Sequence, residues 1–294
     1  MKKYHRWEAG LLGCLLAVAA FCIWRGGHEV RQASKADTAV LLPVAMYHSV
    51  TDVGDSPGQY VISPSMLEND LNYLSEHGYT TVTVNDLIAY VMDGASLPEK
   101  PVMLTFDDGY YNNYCNAYPL LQKYDMRAVL SSVGALTEQF SQTDDLEEHE
   151  AWSYCTRAEL KEMADSGVIE MQNHSYNFHT LDQRKGCLRK SGENTETYRA
   201  MFIDDTQQAQ DLFTEIGIAK PICYTYPYGA LNEETEELIG QCGFTVSLSC
   251  EEGIASIVHD PACLRRIRRF NRDGRVTSEQ FWGRVLKQME EGDS

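Results

Sequence analysis

The feature that most constrains the fold is an alternation of strand-like and helix-like segments, which starts near residue 43 and continues to the end of the chain. The strand-like segments are short apolar runs, and the segments between them place apolar residues at helical spacing. For example, Pro64 suits the first position of a helix, and Leu67, Leu71 and Leu74 then form one apolar stripe. The predicted strands are residues 43–47, 80–84, 101–106, 128–132, 168–172, 222–226, 244–248 and 264–268.

Repeated strand–helix units predict a parallel sheet with helices outside it. Their number predicts an α/β fold, a distorted (β/α) barrel of about seven units. In such barrels the chemistry gathers where strands end. His48, the pair Asp107 and Asp108, His174 and Tyr228 all follow predicted strands, so we expect them at one end of the barrel.

Residues 105–109 read Thr-Phe-Asp-Asp-Gly and place two adjacent carboxylates at a strand end. Adjacent carboxylates repel, and one of them tends to keep its proton unless a cation is bound. Neighbouring side chains diverge, so one carboxylate could bind an ion while the other faces the bound water. The alternative is a turn in which an aspartate caps the next helix.

Candidate partners for such an ion are His174 and His179. On a regular helix two residues at this spacing lie about 140° apart, so metal binding requires an irregular turn. One aspartate and two histidines leave a coordination position open, which is typical of a catalytic metal site. Two histidines in a surface loop are the alternative.

The N-terminal segment indicates export. Residues 1–8 are basic, residues 9–24 carry no charge, and residues 25–40 have the composition of a linker. The basic start favours an uncleaved signal-anchor with its N-terminus inside the cell, and a cleaved signal peptide is the alternative. Either would place residues 41–294 outside the cytoplasm, anchored to the membrane or secreted.

The formal net charge of −18 argues against a nucleic-acid partner, because few cations remain to neutralise a row of phosphates.

Three segments resemble signatures of the polysaccharide deacetylase family, the NodB-homology group that forms carbohydrate esterase family 4. Residues 105–109 resemble the first signature, and residues 226–229, Tyr-Pro-Tyr-Gly, resemble the third. The segment from His174 to His179 resembles the second, with the longer spacing of the branch that acts on poly-N-acetylglucosamine. The resemblance implies a NodB-like fold and a catalytic domain spanning residues 41–294.

The resemblance also implies a role for each matching residue. Asp107 corresponds to the general base, and Asp108, His174 and His179 correspond to the ligands of one divalent metal ion. Zinc is the first expectation for this ion, and cobalt or nickel would also suit these ligands. The backbone N–H of Tyr228 corresponds to the donor that stabilises the oxyanion.

The general acid and the base-orienting arginine are assigned by position. His48 follows the first strand, where the poly-N-acetylglucosamine branch places its acid, and His259 is the second candidate. The family's arginine is absent from residues 222–226, so Arg266 is predicted to orient the base. Surface salt bridges are expected for the other arginines nearby, which are Arg265, Arg268 and Arg269.

The expected function is metal-dependent removal of N-acetyl groups from N-acetylglucosamine units of a cell-surface or cell-wall polysaccharide, a hydrolysis of non-peptide carbon–nitrogen bonds. One alternative is deacetylation of peptidoglycan or of O-acetyl esters at the same site. Another is a catalytically silent carbohydrate-binding protein. Phosphoester hydrolysis is less favoured, because such sites often use two ions and more carboxylates.

Overall fold

The computed structural model describes residues 39–54, 57–142, 149–182 and 184–292. The chain divides into two units, Met1–Ala39 and Val40–Ser294, and the fold below is that of the second unit. The predicted segments 1–8 and 9–24, and nearly all of the predicted linker, lie outside the described residues. In the described ranges, no helix combines the length and the apolar character that a membrane span requires.

Short strands and longer helices alternate along the second unit. The strands are β1 (Val40–Leu42), β2 (Val44–Tyr47), β3 (Ser49–Val50), β4 (Val61–Ile62), β5 (Thr80–Thr81), β6 (Pro101–Asp108), β7 (Ala128–Ser132), β8 (Ile169–Asn173), β9 (Cys223–Thr225), β10 (Val246–Leu248), β11 (Ala255–Ile257) and β12 (Phe270–Asn271). The α-helices are α1 (Pro64–Glu76), α2 (Val84–Asp93), α3 (Tyr118–Lys123), α4 (Gly134–Ser141), α5 (Arg157–Asp165), α6 (Thr195–Glu215), α7 (Glu233–Gln241) and α8 (Ser278–Gly292). A π-helical turn spans Asn113–Ala117, and 3-10 turns span Pro227–Gly229 and Pro261–Leu264.

The main sheet of the described chain has eight strands, and all its neighbouring pairs are parallel. Its order is β10-β9-β8-β7-β6-β2-β12, with β5 pairing to β6. The sheet curls into a half-barrel, because Ile267 bridges Leu248 of β10 and Phe270 pairs with Ala45 of β2. The segment from Ile267 to Phe270 therefore contacts both sides of the opening. The predicted α/β fold of the distorted barrel type is confirmed.

Local sequence signals explain how the helices begin. Helix α1 starts with Pro64, and the Ser63 hydroxyl accepts a hydrogen bond from Met66 N at 3.1 Å. Helix α5 starts with the capping box formed by Thr156 and Glu159. The apolar stripe of α1 is fully buried against the sheet and neighbouring helices. Burial of this stripe fixes α1 on the sheet.

Strand β6 is buried along its whole length, and it ends in Asp107 and Asp108. Both carboxylates are therefore buried, at 2% and 5% exposure. Buried charges are costly unless they are paired or bind a cation. This end of β6 thus requires charged partners.

The predicted last strand at residues 264–268 is wrong. Pro261–Leu264 forms a 3-10 turn, and Arg266 has a left-handed φ of 55°, which a continuous strand does not tolerate. The last strand of the described chain is β12, which begins at Phe270.

Candidate active site

A pocket of about 580 Å³ opens where the parallel strands end. Strands β2 and β6 and the residues that follow β8, β9 and β10 contribute side chains to it, which agrees with the expected position of chemistry in such a sheet. The pocket is lined by Met46, His48, Gln59, Tyr60, Asp107, Asp108, Tyr110, His174, His179, Tyr228, Cys250, Glu252 and Asn271.

The end of β6 directs the two aspartates to different partners. Asp108 has a φ of 73° and Gly109 a φ of 78°, so the chain turns sharply there. A side chain at position 109 would be excluded, since its Cβ would lie 2.8 Å from the Ser132 Cβ. As a result Asp107 faces Arg269, and Asp108 faces His174 and His179.

Three candidate metal ligands converge at Asp108. Its Oδ1 lies 3.2 Å from His174 Nε2 and 3.0 Å from His179 Nε2, and the ligand atoms all lie within 4.8 Å of one another. Oδ1 is buried and accepts no hydrogen bond from the described residues. Burial alone would raise the pKa of Asp108, but the imidazoles hold this pKa well below its ordinary value. The carboxylate is therefore charged and available to a cation.

The proton on His174 is placed correctly for metal binding. Its Nδ1 lies 2.8 Å from the carbonyl oxygen of Thr225, which can only accept a hydrogen bond. When His174 is neutral, this contact keeps the proton on Nδ1 and leaves the Nε2 lone pair for a cation bound beside Asp108. These residues therefore fit one divalent ion bound by an aspartate and two imidazoles.

The predicted irregular turn between the histidines is confirmed. Ser175 has a φ of 70°, and its hydroxyl accepts a hydrogen bond from Phe178 N at 3.1 Å. Its backbone N–H donates to Asn173 Oδ1 at 2.6 Å. The turn brings the imidazoles of His174 and His179 to 5.3 Å between ring centres.

Asp107 is paired with a buried arginine. Arg269 Nη1 donates to Asp107 Oδ1 at 2.7 Å and Nη2 donates to Oδ2 at 2.8 Å. Arg269 is fully buried, and it also donates to Thr105 Oγ1 and to the Ser249 carbonyl. Burial alone would raise the pKa of Asp107, but the Arg269 guanidinium outweighs this effect and holds the pKa below its ordinary value.

The arginine that contacts Asp107 is therefore Arg269, so the predictions of Arg266 at this position and of a surface salt bridge for Arg269 are both wrong. The Arg266 side chain is 42% exposed and lies 3.8 Å from Glu236, because the left-handed turn at this residue directs it away from the pocket. The surface ion pair expected for Arg265 is found with Glu236, at 2.7 Å. No local pattern distinguishes Arg269, since its burial depends on β12 pairing with β2.

His48 lines the pocket, directly after β2. Its ring lies against Tyr60, with 4.8 Å between ring centres, and its buried Nδ1 has no hydrogen-bond partner among the described residues. Burial lowers the pKa of His48, an effect that nearby Asp108 and Asp107 reduce. His259 does not line this pocket, because its exposed ring stacks on Tyr90 at 4.4 Å and its Nδ1 lies 2.9 Å from the Tyr90 carbonyl oxygen.

Tyr228 forms the wall of the pocket next to His179. Its backbone has a φ of 58° within the 3-10 turn that follows β9, and its ring stacks on His179 with 4.6 Å between ring centres. The next residue, Gly229, lies tightly against Cys250, since an added Cβ would be 2.8 Å from the Cys250 Cβ. Sequence reasoning missed Tyr60, which reaches the pocket from the loop between β3 and β4.

Comparisons with known proteins agree with this arrangement. A sequence model of the family described as "Polysaccharide deacetylase" matches residues 94–247, just over half of the 294 residues. A putative polysaccharide deacetylase of Bacillus subtilis, YxkH, is 27% identical over 234 residues, which cover 80% of this chain and 73% of that protein. The poly-beta-1,6-N-acetyl-D-glucosamine N-deacetylase of Escherichia coli is 27% identical over 230 residues, which cover 71% of this chain but only 34% of that protein.

The fold is also shared with a solved structure. A de-N-acetylase from Aggregatibacter actinomycetemcomitans superimposes with a TM-score of 0.69 at 24% identity, covering 81% of this chain and 97% of that one. The family match covers the end of β6, the acidic pair and the histidine turn. This chain therefore belongs to the polysaccharide deacetylase family of hydrolases.

Proposed function

We propose that this protein is a metal-dependent N-deacetylase that acts on N-acetylglucosamine units of an extracellular polysaccharide. The observation that carries the proposal is the convergence of Asp108, His174 and His179 beside an Asp107 carboxylate that Arg269 orients. Family membership supports a deacetylase, and the name of the Escherichia coli relative supports this substrate class.

Asp108, His174 and His179 would hold the ion, and zinc is the first choice for such ligands. A divalent ion held there would supply Lewis-acid activation of a water molecule and of the acetyl carbonyl group. Cobalt and nickel suit the same aspartate and imidazole ligands.

Asp107 is the proposed general base. Both of its oxygens accept hydrogen bonds from Arg269, and each keeps a further lone pair for a water in the pocket. Because Arg269 stabilises the ionised form, Asp107 is ready to accept a proton at neutral pH. Arg269 also fixes the direction in which the carboxylate faces the pocket.

His48 is the proposed general acid for the leaving amine. Its Nδ1 has no hydrogen-bond partner among the described residues and lies in the same pocket as the acidic pair. Burial lowers the pKa of His48, which makes its protonated form a stronger donor to the amine. The Tyr228 N–H, in the turn that presents its ring to His179, is the proposed donor to the developing oxyanion.

We further propose that the catalytic domain acts outside the cytoplasm, anchored to the membrane or secreted. The uncharged segment 9–24 after a basic start supports this location. A polysaccharide substrate at the cell surface is consistent with it.

Acetate release is the direct test. The purified protein would be incubated with oligomers of β-1,6-linked N-acetylglucosamine, chitin oligomers, peptidoglycan and an O-acetyl ester, before and after chelation. Metal content would be measured on the same samples. We expect chelator-sensitive acetate release that is fastest on the β-1,6-linked oligomers, and about one bound metal ion per chain. A protein that binds these glycans but holds no metal and frees no acetate would be a silent binding protein, contrary to the proposal.

A further inference from the structure

The turn between His174 and His179 is held by hydrogen bonds to a carboxylate on helix α6. Asp205 Oδ1 accepts a hydrogen bond from Tyr176 N at 2.9 Å, and Asp205 Oδ2 accepts one from Asn177 N at 2.7 Å. Asp205 is 7% exposed. One buried side chain therefore uses both of its oxygens on two consecutive backbone amides of this turn.

These two amides need a partner because of the turn itself. The left-handed Ser175 interrupts regular structure, so the N–H groups of Tyr176 and Asn177 have no strand or helix to join. Tyr176 is partly buried and Asn177 is exposed, so water is the alternative acceptor for these N–H groups. An ionised carboxylate is a strong acceptor for such groups.

The opposite side of the turn is held by helix α4. Gly134 N donates to the Ser175 carbonyl at 3.1 Å, and Ala135 N donates to the Tyr176 carbonyl at 2.8 Å. Gly134 also permits close packing, since a Cβ there would lie 2.6 Å from the Tyr176 ring. The turn is thus held between neutral backbone donors of α4 and the charged acceptor of α6.

We propose that Asp205 is a positioning residue that sets the turn in its metal-binding conformation before any ion arrives. Its two carboxylate oxygens accept hydrogen bonds from Tyr176 N and Asn177 N, so it acts through the backbone that joins His174 and His179. This inference rests on the proposed metal site, and it adds a residue outside the family signatures to the machinery of that site.

The test is zinc affinity of the full chain, measured by competition with a chromogenic chelator on metal-free protein. In Asp205→Asn the side chain keeps its size, but its NH₂ group faces one of the two backbone donors. Asp204→Asn is the matched control, because Asp204 is exposed and accepts a hydrogen bond only from Gln208 among the described contacts. Circular dichroism would establish that both variants are folded.

We expect Asp205→Asn to bind zinc about 10- to 100-fold more weakly than the wild type, the range seen when groups that orient metal ligands are removed. Asp204→Asn should stay within about twofold. Equal zinc affinity in Asp205→Asn and the wild type would overturn the inference and leave the proposed function standing. Failure of the wild type itself to bind zinc would overturn the proposed function and the inference together.

A second measurement uses the wild type alone, so it does not depend on the folding of a variant. Hydrogen exchange of the metal-free protein should show protected amides at Tyr176 and Asn177, since both are bonded to Asp205 without an ion. Exchange of these amides at the rate of an unstructured peptide would contradict the proposal that the turn is set in advance.

Discussion

Arg269, which directly precedes β12, and Asp107 of β6 form a buried ion pair with two hydrogen bonds. The two hydrogen bonds, at 2.7 and 2.8 Å, are in the paired geometry that guanidinium and carboxylate groups favour. Thr105 and Ser249 contribute further acceptors for the same guanidinium. The pair therefore sets both the charge and the orientation of the carboxylate that faces the pocket.

Replacing this arginine should affect stability and catalysis together. Arg269→Ala leaves a buried carboxylate unpaired, which should lower the free energy of unfolding by about 3–5 kcal/mol. Arg269→Lys keeps the charge but loses the paired geometry. It should lower kcat and move the acid limb of the pH–rate profile to higher pH, because the pKa of Asp107 would rise.

Arg266→Ala is the matched control for both measurements, since its side chain is partly exposed and lies outside the pocket. Chemical denaturation and initial rates of acetate release would be recorded for all three variants. If Arg266→Ala lost as much activity as Arg269→Lys, the role given to the buried pair would be wrong.

Asp107→Asn should separate metal binding from turnover. The amide cannot accept a proton from water, so kcat should fall by about 10²–10⁴-fold. Zinc content should be unchanged, because the ligand atoms belong to Asp108, His174 and His179. Near-native acetate release by this variant would show that another group is the base.

His48→Ala and His259→Ala distinguish the two candidates for the general acid. His48 lies in the pocket, whereas His259 stacks on Tyr90 outside it. The first variant should lose about 10²–10⁴-fold in kcat on the N-acetyl substrate while keeping its zinc. The second should retain wild-type kinetics, and a loss confined to His259→Ala would reverse the assignment.

The pH dependence of stability should carry a contribution from Asp205. Burial raises the pKa of Asp205 to about 6, an effect that its hydrogen bonds from Tyr176 and Asn177 only partly offset. The folded state therefore holds this proton more tightly than the unfolded state, in which the pKa is near its ordinary 3.8. The contribution of Asp205 to the free energy of unfolding is greatest below pH 4 and is lost as the pH rises through about 6. The difference between the two pKa values corresponds to about 3 kcal/mol.

Denaturant unfolding of the metal-free protein at pH 4 and pH 7 tests the direction of this pH dependence. Between these values the wild type should lose more stability than Asp205→Asn does, since the asparagine cannot titrate. Asp204→Asn should follow the wild type. A wild type that gained stability relative to Asp205→Asn over this interval would show that the pKa is lowered rather than raised.

Much of the fold could be predicted because parallel strands covered on both faces are continuous apolar runs. Strand β7 lies at the predicted residues 128–132, and Pro64 begins α1 as its sequence indicates. The acidic pair and the histidines could be grouped because Asp107 and Asp108 end β6 and His174 directly follows β8 of the same sheet. The helical spacing argument correctly required an irregular turn between His174 and His179.

The remaining features depend on long-range packing that local patterns do not encode. Four arginines lie within five residues, and the left-handed Arg266 together with the pairing of β12 decides which of them reaches Asp107. The role of Asp205 could not be predicted from the sequence either, because a carboxylate in the middle of a long helix is ordinarily exposed. The distinction between Asp205 and Asp204 emerges only when α6 packs against the histidine turn.

The separation of Arg269 from Asp107 by 162 positions has a consequence for biosynthesis. A ribosome-bound chain that has emerged only as far as β10 already holds Asp107 but lacks its counter-charge, Arg269. Because such distant contacts form late, maturation of the reactive centre should be one of the last events in folding. Shortening the protein from its C-terminus past β12 should therefore yield an inactive and unstable product rather than a weakened enzyme.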